Sequence, residues 1–338
     1  MLYSSLGMNM KIKVLILFMI CLISIVMICV FSGFTNNRNN ELASENLLTS
    51  TNNHNSTEVL LTDKTNNISI KKYNGKLYIT KINESFDETF KTQPKEVDYF
   101  RLVNRYNSLP QSFTPQLISV NGDKIALKSS NSKLSQITCT AMYSMISAAK
   151  KDKVTGYIIN SAYRSKKEQQ IVFNNWLSVY KNIYSNVKTA YEKTRLRVAL
   201  PGYSEHQTGL ALDILSKDAE TSDSFIGTKQ QKWLENNSYK FGFIIRYPKN
   251  KTSQTYTMYE PWHLRYVGKD LAAFLSQKKL CLEELYTKLN SDKSCTYKGT
   301  IYLITQKETA IYCTKNLQIR LERGIISGEN YLLTICLI

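Results

Sequence analysis

The apolar residues of this chain change spacing several times along its length. Residues 14–31 carry no charge, and Ser32-Gly33-Phe34 extends the run. About twenty residues cross a bilayer, so this stretch is long enough to span one. Lys11 and Lys13 precede it, a bias that keeps the N-terminus in the cytoplasm and exports the remainder. A cleaved signal peptide is the alternative. Such a peptide has a shorter apolar core ending in small-x-small, whereas Phe31-Ser32-Gly33 puts a bulky residue first. The pattern favours an uncleaved anchor over residues 1–34. Residues 35–67 hold ten Asn among Ser, Thr and a few charges, the composition of a solvated linker. In residues 68–90, Ile68-Ser69-Ile70-Lys71-Lys72-Tyr73 and Lys76-Leu77-Tyr78-Ile79-Thr80 flank Asn74-Gly75. Two alternating runs joined by a pair that tolerates φ > 0 predict a β-hairpin.

Between residues 91 and 290 helical and strand periods mix. Met142, Met145, Ile146 and Ala149 recur at helical spacing and predict a helix over residues 135–150 with a core-facing methionine stripe. Residues 168–180 read as a second helix with Ile171, Trp176 and Val179 inward, and Pro201-Gly202 ends a third. Strands are predicted over residues 157–160, 209–215 and 241–245. Helices set apart from a short, mainly antiparallel sheet make an α+β domain, and about 200 residues suffice for one core. Residues 291–338 read as a β-rich extension, with strands at 299–304 and 331–335.

The chain has three His, and two lie in its most chemically loaded stretches. One is Ser204-Glu205-His206-Gln207-Thr208-Gly209-Leu210-Ala211-Leu212-Asp213; the other is Glu260-Pro261-Trp262-His263. A catalytic zinc takes three protein ligands, keeps one position open and works beside a base. His206, Asp213 and His263 fit the ligand roles for one zinc per chain, and Glu260 fits the base. On a strand, Asp213 shares a face with small Ala211, where a carboxylate is expensive unless paired or metal-bound. Glu260 and His263 are three apart, so a tight turn or first helical turn projects both to one side. Either stretch taken singly is equally well an ordinary turn and strand with a structural His. His54 lies in the linker and reads as solvated.

Together the stretches resemble the S-x-H-x-x-G-x-A-x-D and E-x-W-H signatures of the VanY-type zinc D-alanyl-D-alanine carboxypeptidases. Ser161-Ala162-Tyr163-Arg164-Ser165 with Gln169, Leu102-Val103-Asn104 through Leu109-Pro110 and Pro115, and Trp262 through Gly268 extend the similarity over residues 98–289. The resemblance implies a D-Ala-D-Ala carboxypeptidase-like fold with zinc in a central cleft, held by His206, Asp213 and His263. It implies Glu260 as general acid–base and Arg164 as the group that steadies the scissile carbonyl oxygen. Ser204 and Gln169 are assigned to the substrate's terminal carboxylate or backbone, and Trp262 either to the substrate wall or to structural packing. For Arg164 the competing reading is a surface residue before a helix N-capped by Ser165.

The remaining features bear on setting. Forty-four basic and twenty-seven acidic residues give a net charge of +17, suited to an anionic wall and lipid head groups. Nucleic acid is excluded as a partner: the anchor exports the domain, and no basic stripe interleaved with aromatics is present. Cys281, Cys295, Cys313 and Cys336 permit three disulfide pairings or none, and their spacings form no C-x-x-C knuckle. The expected protein is a monomeric, single-pass membrane metallopeptidase whose wall-facing domain trims the terminal D-alanine from peptidoglycan stem peptides. An endopeptidase cutting another stem or cross-bridge bond, and a non-catalytic wall-binding protein on the same fold, are the alternatives.

Overall fold

The computed structural model describes residues 57–86, 89–219, 221–315 and 317–337. The anchor and most of the Asn-rich linker lie outside the described residues; the described end of the expected linker is not solvated coil, since Glu58–Asp63 is a strand paired antiparallel with Ile68–Tyr73. No helix among those described is long and apolar enough to cross a membrane.

The architecture is α+β. A five-stranded sheet carries the loaded segments, in the order Phe243–Tyr247, Glu260–Tyr266, Ala211–Ser216, Tyr157–Ser161, Ala126–Leu127. Its pairs are antiparallel except the last, which is parallel. The helix Gln136–Lys151 packs on it through buried Cys139, Met142, Met145 and Ala149, so the methionine stripe is core. Ser135 caps that helix, its side chain accepting from the Thr138 amide.

The helix Lys166–Ile183 is rotated from the expected orientation. Ile171 and Val179 are exposed, and the buried residues are Gln169 and Phe173. The reason is local. Ser165 and Glu168 form a reciprocal capping box, and Gln169 is hydrogen-bonded at both ends of its amide, which fixes the rotation against the apolar preference. The next helix stops at Arg197, ahead of Pro201-Gly202.

The expected hairpin is present, strands Ile68–Tyr73 and Lys76–Lys81, and both turn residues take positive φ (Asn74 48°, Gly75 71°). It is not an isolated piece. Ile311–Thr314 from the C-terminal extension inserts between Lys76–Lys81 and Thr89–Thr92, parallel to the former. The hairpin's sheet is five-stranded, and a further five-stranded sheet combines four C-terminal strands with Lys95–Glu96. The two sheets enclose Ile68, Ile70, Leu77, Ile79, Ile301, Leu303, Ile311, Leu321, Leu333 and Ile335. Segments from both ends of the described chain therefore share one apolar core. The extension also reaches the main core through Tyr302, Ile326 and Leu332. Cys139, Cys281, Cys295, Cys313 and Cys336 are free thiols.

Candidate active site

Asp213 and His263 are direct cross-strand partners in neighbouring antiparallel strands, which sets their side chains on one face. His206 enters from the turn Glu205–Thr208, just before the Asp213 strand. Gly209 closes that turn at φ +71°, and a Cβ there would lie 2.5 Å from Leu117 and 3.0 Å from the Ser135 nitrogen. Only glycine fits.

Glu260 and His263 lie on a strand, Glu260–Tyr266, and not on a tight turn or helical turn. A regular strand would send residues three apart to opposite faces. Here Ile245 pairs with Leu264 while Tyr247 pairs with Glu260, so residues 261–263 oppose Arg246 alone. This bulge, at a proline that cannot donate to the ladder, resets the alternation. Glu260 Oε2 consequently lies 3.9 Å from His263 Nδ1.

One ligand atom from each of His206, Asp213 and His263 lies within 4.8 Å of the others, and all three residues are buried. His206 Nε2 is 3.3 Å and His263 Nδ1 3.2 Å from Asp213 Oδ1. His206 Nδ1 is 2.7 Å from the Ala162 carbonyl, which can only accept, so the ring proton sits there and Nε2 offers its lone pair inward. Asp213 Oδ1 is buried without a hydrogen-bond partner, a costly arrangement unless a cation completes it. Two imidazoles and a carboxylate converging this way suit zinc.

The electrostatics agree. Burial opposes ionisation of Asp213, but the two imidazoles outweigh it and hold the carboxylate well below its usual range. Burial also works against a charged His263, yet Asp213 and Glu205 raise it to about 9, so this point favours positive charge. His206 is lowered to about 4, by burial and then Arg164. Glu260 is pushed up to about 8, chiefly by burial, with the Asp213 charge adding to it. Two carboxylates side by side thus have opposite proton affinities, as a ligand and a proton-transfer group require.

Arg164 faces the cleft. Its Nη1 is 3.5 Å from Asp213 Oδ2 and donates to Ser161 Oγ at 2.6 Å, and its Nε donates to Gln169 Oε1 at 2.9 Å. Gln169 is fully buried, and its Nε2 donates to the Ala199 carbonyl at 2.7 Å. Gln169 is therefore a positioning residue for Arg164 and not a cleft-facing substrate contact. Ser204 and Trp262 line the cleft, with Trp262 also part of the main core. The Ser204 side chain does not cap the turn that follows, which leaves its hydroxyl for the cleft. The cleft has a volume of about 390 Å³.

The sequence reading missed Glu205. It is fully buried, with Oε1 accepting from Arg246 Nε and Arg265 Nη1, each at 2.7 Å. Its Oε2 lies 3.4 Å from His263 Nε2. Burial opposes its charge, but the two guanidinium groups hold it ionised below the usual carboxylate range. Arg246 continues to Glu283 at 2.6 and 2.9 Å. The available signal was Arg246 and Arg265, charged residues inside otherwise apolar strand patterns.

This geometry has known counterparts. The family description "VanY: D-alanyl-D-alanine carboxypeptidase" matches residues 131–269. YodJ of Bacillus subtilis (strain 168), a protein named as a carboxypeptidase, is 39% identical over 194 residues, covering 56% of this chain and 67% of YodJ. This chain belongs to the VanY family of D-alanyl-D-alanine carboxypeptidases. A D-alanyl-D-alanine carboxypeptidase of Enterococcus faecalis (strain ATCC 700802 / V583) is 36% identical, covering 57% of this chain and 66% of its own length. The matches thus span about two thirds of these relatives. VanYB, solved in complex with D-alanine-D-alanine, superposes with TM-score 0.50 and 33% identity, over 56% of this chain and 97% of that one. The VanY match encloses His206, Asp213, Glu260, His263, Arg164, Gln169 and Ser204, and leaves out both halves of the β-rich unit.

Proposed function

We propose that this VanY-family protein is a zinc D,D-carboxypeptidase that hydrolyses the terminal D-Ala-D-Ala bond of peptidoglycan stem peptides. The observation that carries this reading is the His206–Asp213–His263 cluster beside a carboxyl, Glu260, whose proton affinity lies near neutrality. Zinc held by those three residues supplies Lewis acidity for the water and the scissile carbonyl. Glu260 takes a proton at Oε2 and returns it to the leaving amine. Arg164, locked by Ser161 and Gln169, presents its remaining N–H donors to the carbonyl oxygen as charge develops. Trp262 and Tyr247 wall the cleft.

The uncharged run at residues 14–34 behind Lys11 and Lys13 supports a single-pass anchor with the catalytic domain on the wall side of the cell membrane, acting as a monomer. Membrane fractionation of the full chain tests the anchor: a soluble product with a new N-terminus near Thr35 would mean signal cleavage. Purified muropeptides digested with the zinc-loaded protein test the activity. Loss of one D-alanine per pentapeptide is expected. A cut elsewhere in the stem or cross-bridge would favour the endopeptidase reading, and no cut would favour a wall-binding protein.

A further inference from the structure

Two cations in the cleft, Lys128 and Arg197, have no carboxylate within ion-pair distance among the described residues, and only Lys128 has a strong neutral acceptor. Among the described residues Lys128, Arg164 and Arg197 are the basic side chains lining the cleft. Lys128 Nζ is engaged with Asn160 Oδ1 at 3.0 Å. Arg164 is held by Ser161, Gln169 and Asp213. Arg197 differs. It is the last residue of the helix Val187–Arg197, and its guanidinium carbon lies 4.0 Å from the centre of the Trp176 ring. Its Nη1 reaches Met258 Sδ at 3.8 Å, a weak acceptor. No carboxylate among the described residues lies within ion-pair distance of it.

A cation at a helix C-terminus interacts favourably with the helix dipole. That role does not require a place in the cleft, and Arg195 in the same last turn also supplies it while pairing with Glu192 at 3.7 Å. Stacking on an indole fixes the plane of a guanidinium and leaves its edge donors free, an arrangement that suits a planar carboxylate. Trp176 and Val172, which also line the cleft, come from the helix whose rotation Gln169 sets. The same helix therefore aims Arg164 and backs Arg197. Arg197 and Glu260 both line this cleft, so the two groups share one site.

Resting on the carboxypeptidase reading above, we infer that Arg197, backed by Trp176, is the anion subsite of the cleft and binds the free α-carboxylate of the substrate's C-terminal residue. Arg164 then serves the scissile carbonyl and Arg197 the chain end, with the Ser204 hydroxyl available as a neutral second contact. This division of labour limits cleavage to the last bond of a peptide, since an internal residue offers no carboxylate.

The test compares D-alanyl-D-alanine with D-alanyl-D-alaninamide on the zinc-loaded full chain, by calorimetric binding to the Glu260→Gln variant and by D-alanine release with the active enzyme. Arg197→Met keeps the stem packed on Trp176 and removes the charge; Arg197→Lys keeps the charge and loses the fork. Expected is binding of the acid over the amide by roughly 10- to 100-fold, the worth of one charged hydrogen-bonded contact. Arg197→Met should abolish that preference by weakening the acid alone, mainly in KM, and Arg197→Lys should restore part of it. Equal binding of acid and amide by the Glu260→Gln protein, no binding of either, or an equal fall on both in Arg197→Met would overturn the inference. Because preference is read by binding, it is decided even if no D-alanine is released; that outcome would count against the carboxypeptidase reading instead.

Discussion

Glu205 Oε2 and His263 Nε2 face each other across 3.4 Å, both buried and with no other partner. The carboxylate is anchored behind by Arg246 and Arg265. This pair decides which nitrogen of His263 carries the proton: Nε2 toward Glu205, leaving Nδ1 for the cluster with Asp213. Carboxylate–histidine–metal relays of this kind orient the ring and raise its basicity.

Glu205→Gln should therefore weaken zinc binding by about 10- to 100-fold, although Glu205 is no ligand. Glutamine keeps the shape but not the charge opposite two guanidinium groups, so stability should also fall, by about 3–5 kcal/mol. Competition with a chromogenic chelator reads the first effect and denaturant unfolding the second. Unchanged zinc affinity in a folded Glu205→Gln protein would remove Glu205 from the site.

Gln169→Leu should isolate the positioning of Arg164. The substitution keeps the buried volume and removes the acceptor for Arg164 Nε and the donor to Ala199. Arg164 contributes most as charge builds on the carbonyl oxygen, so kcat should drop by about 10- to 100-fold with little change in KM. Zinc content should stay full. A parallel loss of zinc and of melting temperature, with kcat per bound zinc unchanged, would make Gln169 a core residue only.

The strand carrying Asp213 was legible because Leu210, Leu212 and Ile214 alternate with Ala211 and Asp213. The convergence of His206, Asp213 and His263 was legible because few residue types bind zinc and the chain has only three His. Glu260 and His263 were correctly placed on one side but for the wrong backbone: a bulge depends on the neighbouring strand's register, which no local pattern encodes. The helix at residues 166–183 was misoriented because a buried glutamine, not its apolar residues, sets its rotation. The joining of both chain ends was illegible, since Ile311 pairs with Leu77 across most of the described chain.

That joining makes the extension structural. Deleting residues 294–338 removes Ile301, Tyr302, Leu303, Leu321, Ile326, Leu332, Leu333 and Ile335, all buried. At about 1.5–3 kcal/mol each, their loss is comparable to the whole stability of a typical domain, about 5–15 kcal/mol. It also uncovers Ile68, Ile70, Leu77 and Ile79. The truncated chain should aggregate or lose cooperative unfolding, although it retains the entire VanY match. A soluble truncation with an unshifted melting temperature and full activity would show that the extension is a mere appendage.

Glu260→Gln separates binding from chemistry. Glu260 is buried and lies 3.9 Å from His263 Nδ1, outside the set of three whose atoms converge. Its removal as a carboxylate should leave zinc content and fold intact. Glutamine fills the same space but cannot accept a proton at neutral pH, so transfer from water to leaving amine loses its carrier. Loss of general acid–base work costs about a hundred- to ten-thousandfold, all of it in kcat. His206→Ala and Asp213→Ala should behave differently: they remove a ligand, so zinc itself should be lost by elemental analysis. The decisive measurement is D-alanine release by the three variants at known zinc content. Near-normal turnover by Glu260→Gln would defeat the metallopeptidase mechanism, and full zinc in either ligand variant would defeat the ligand assignment. An inactive, zinc-replete Glu260→Gln beside zinc-free ligand variants would divide the cluster into three residues that hold the metal and one that moves the proton.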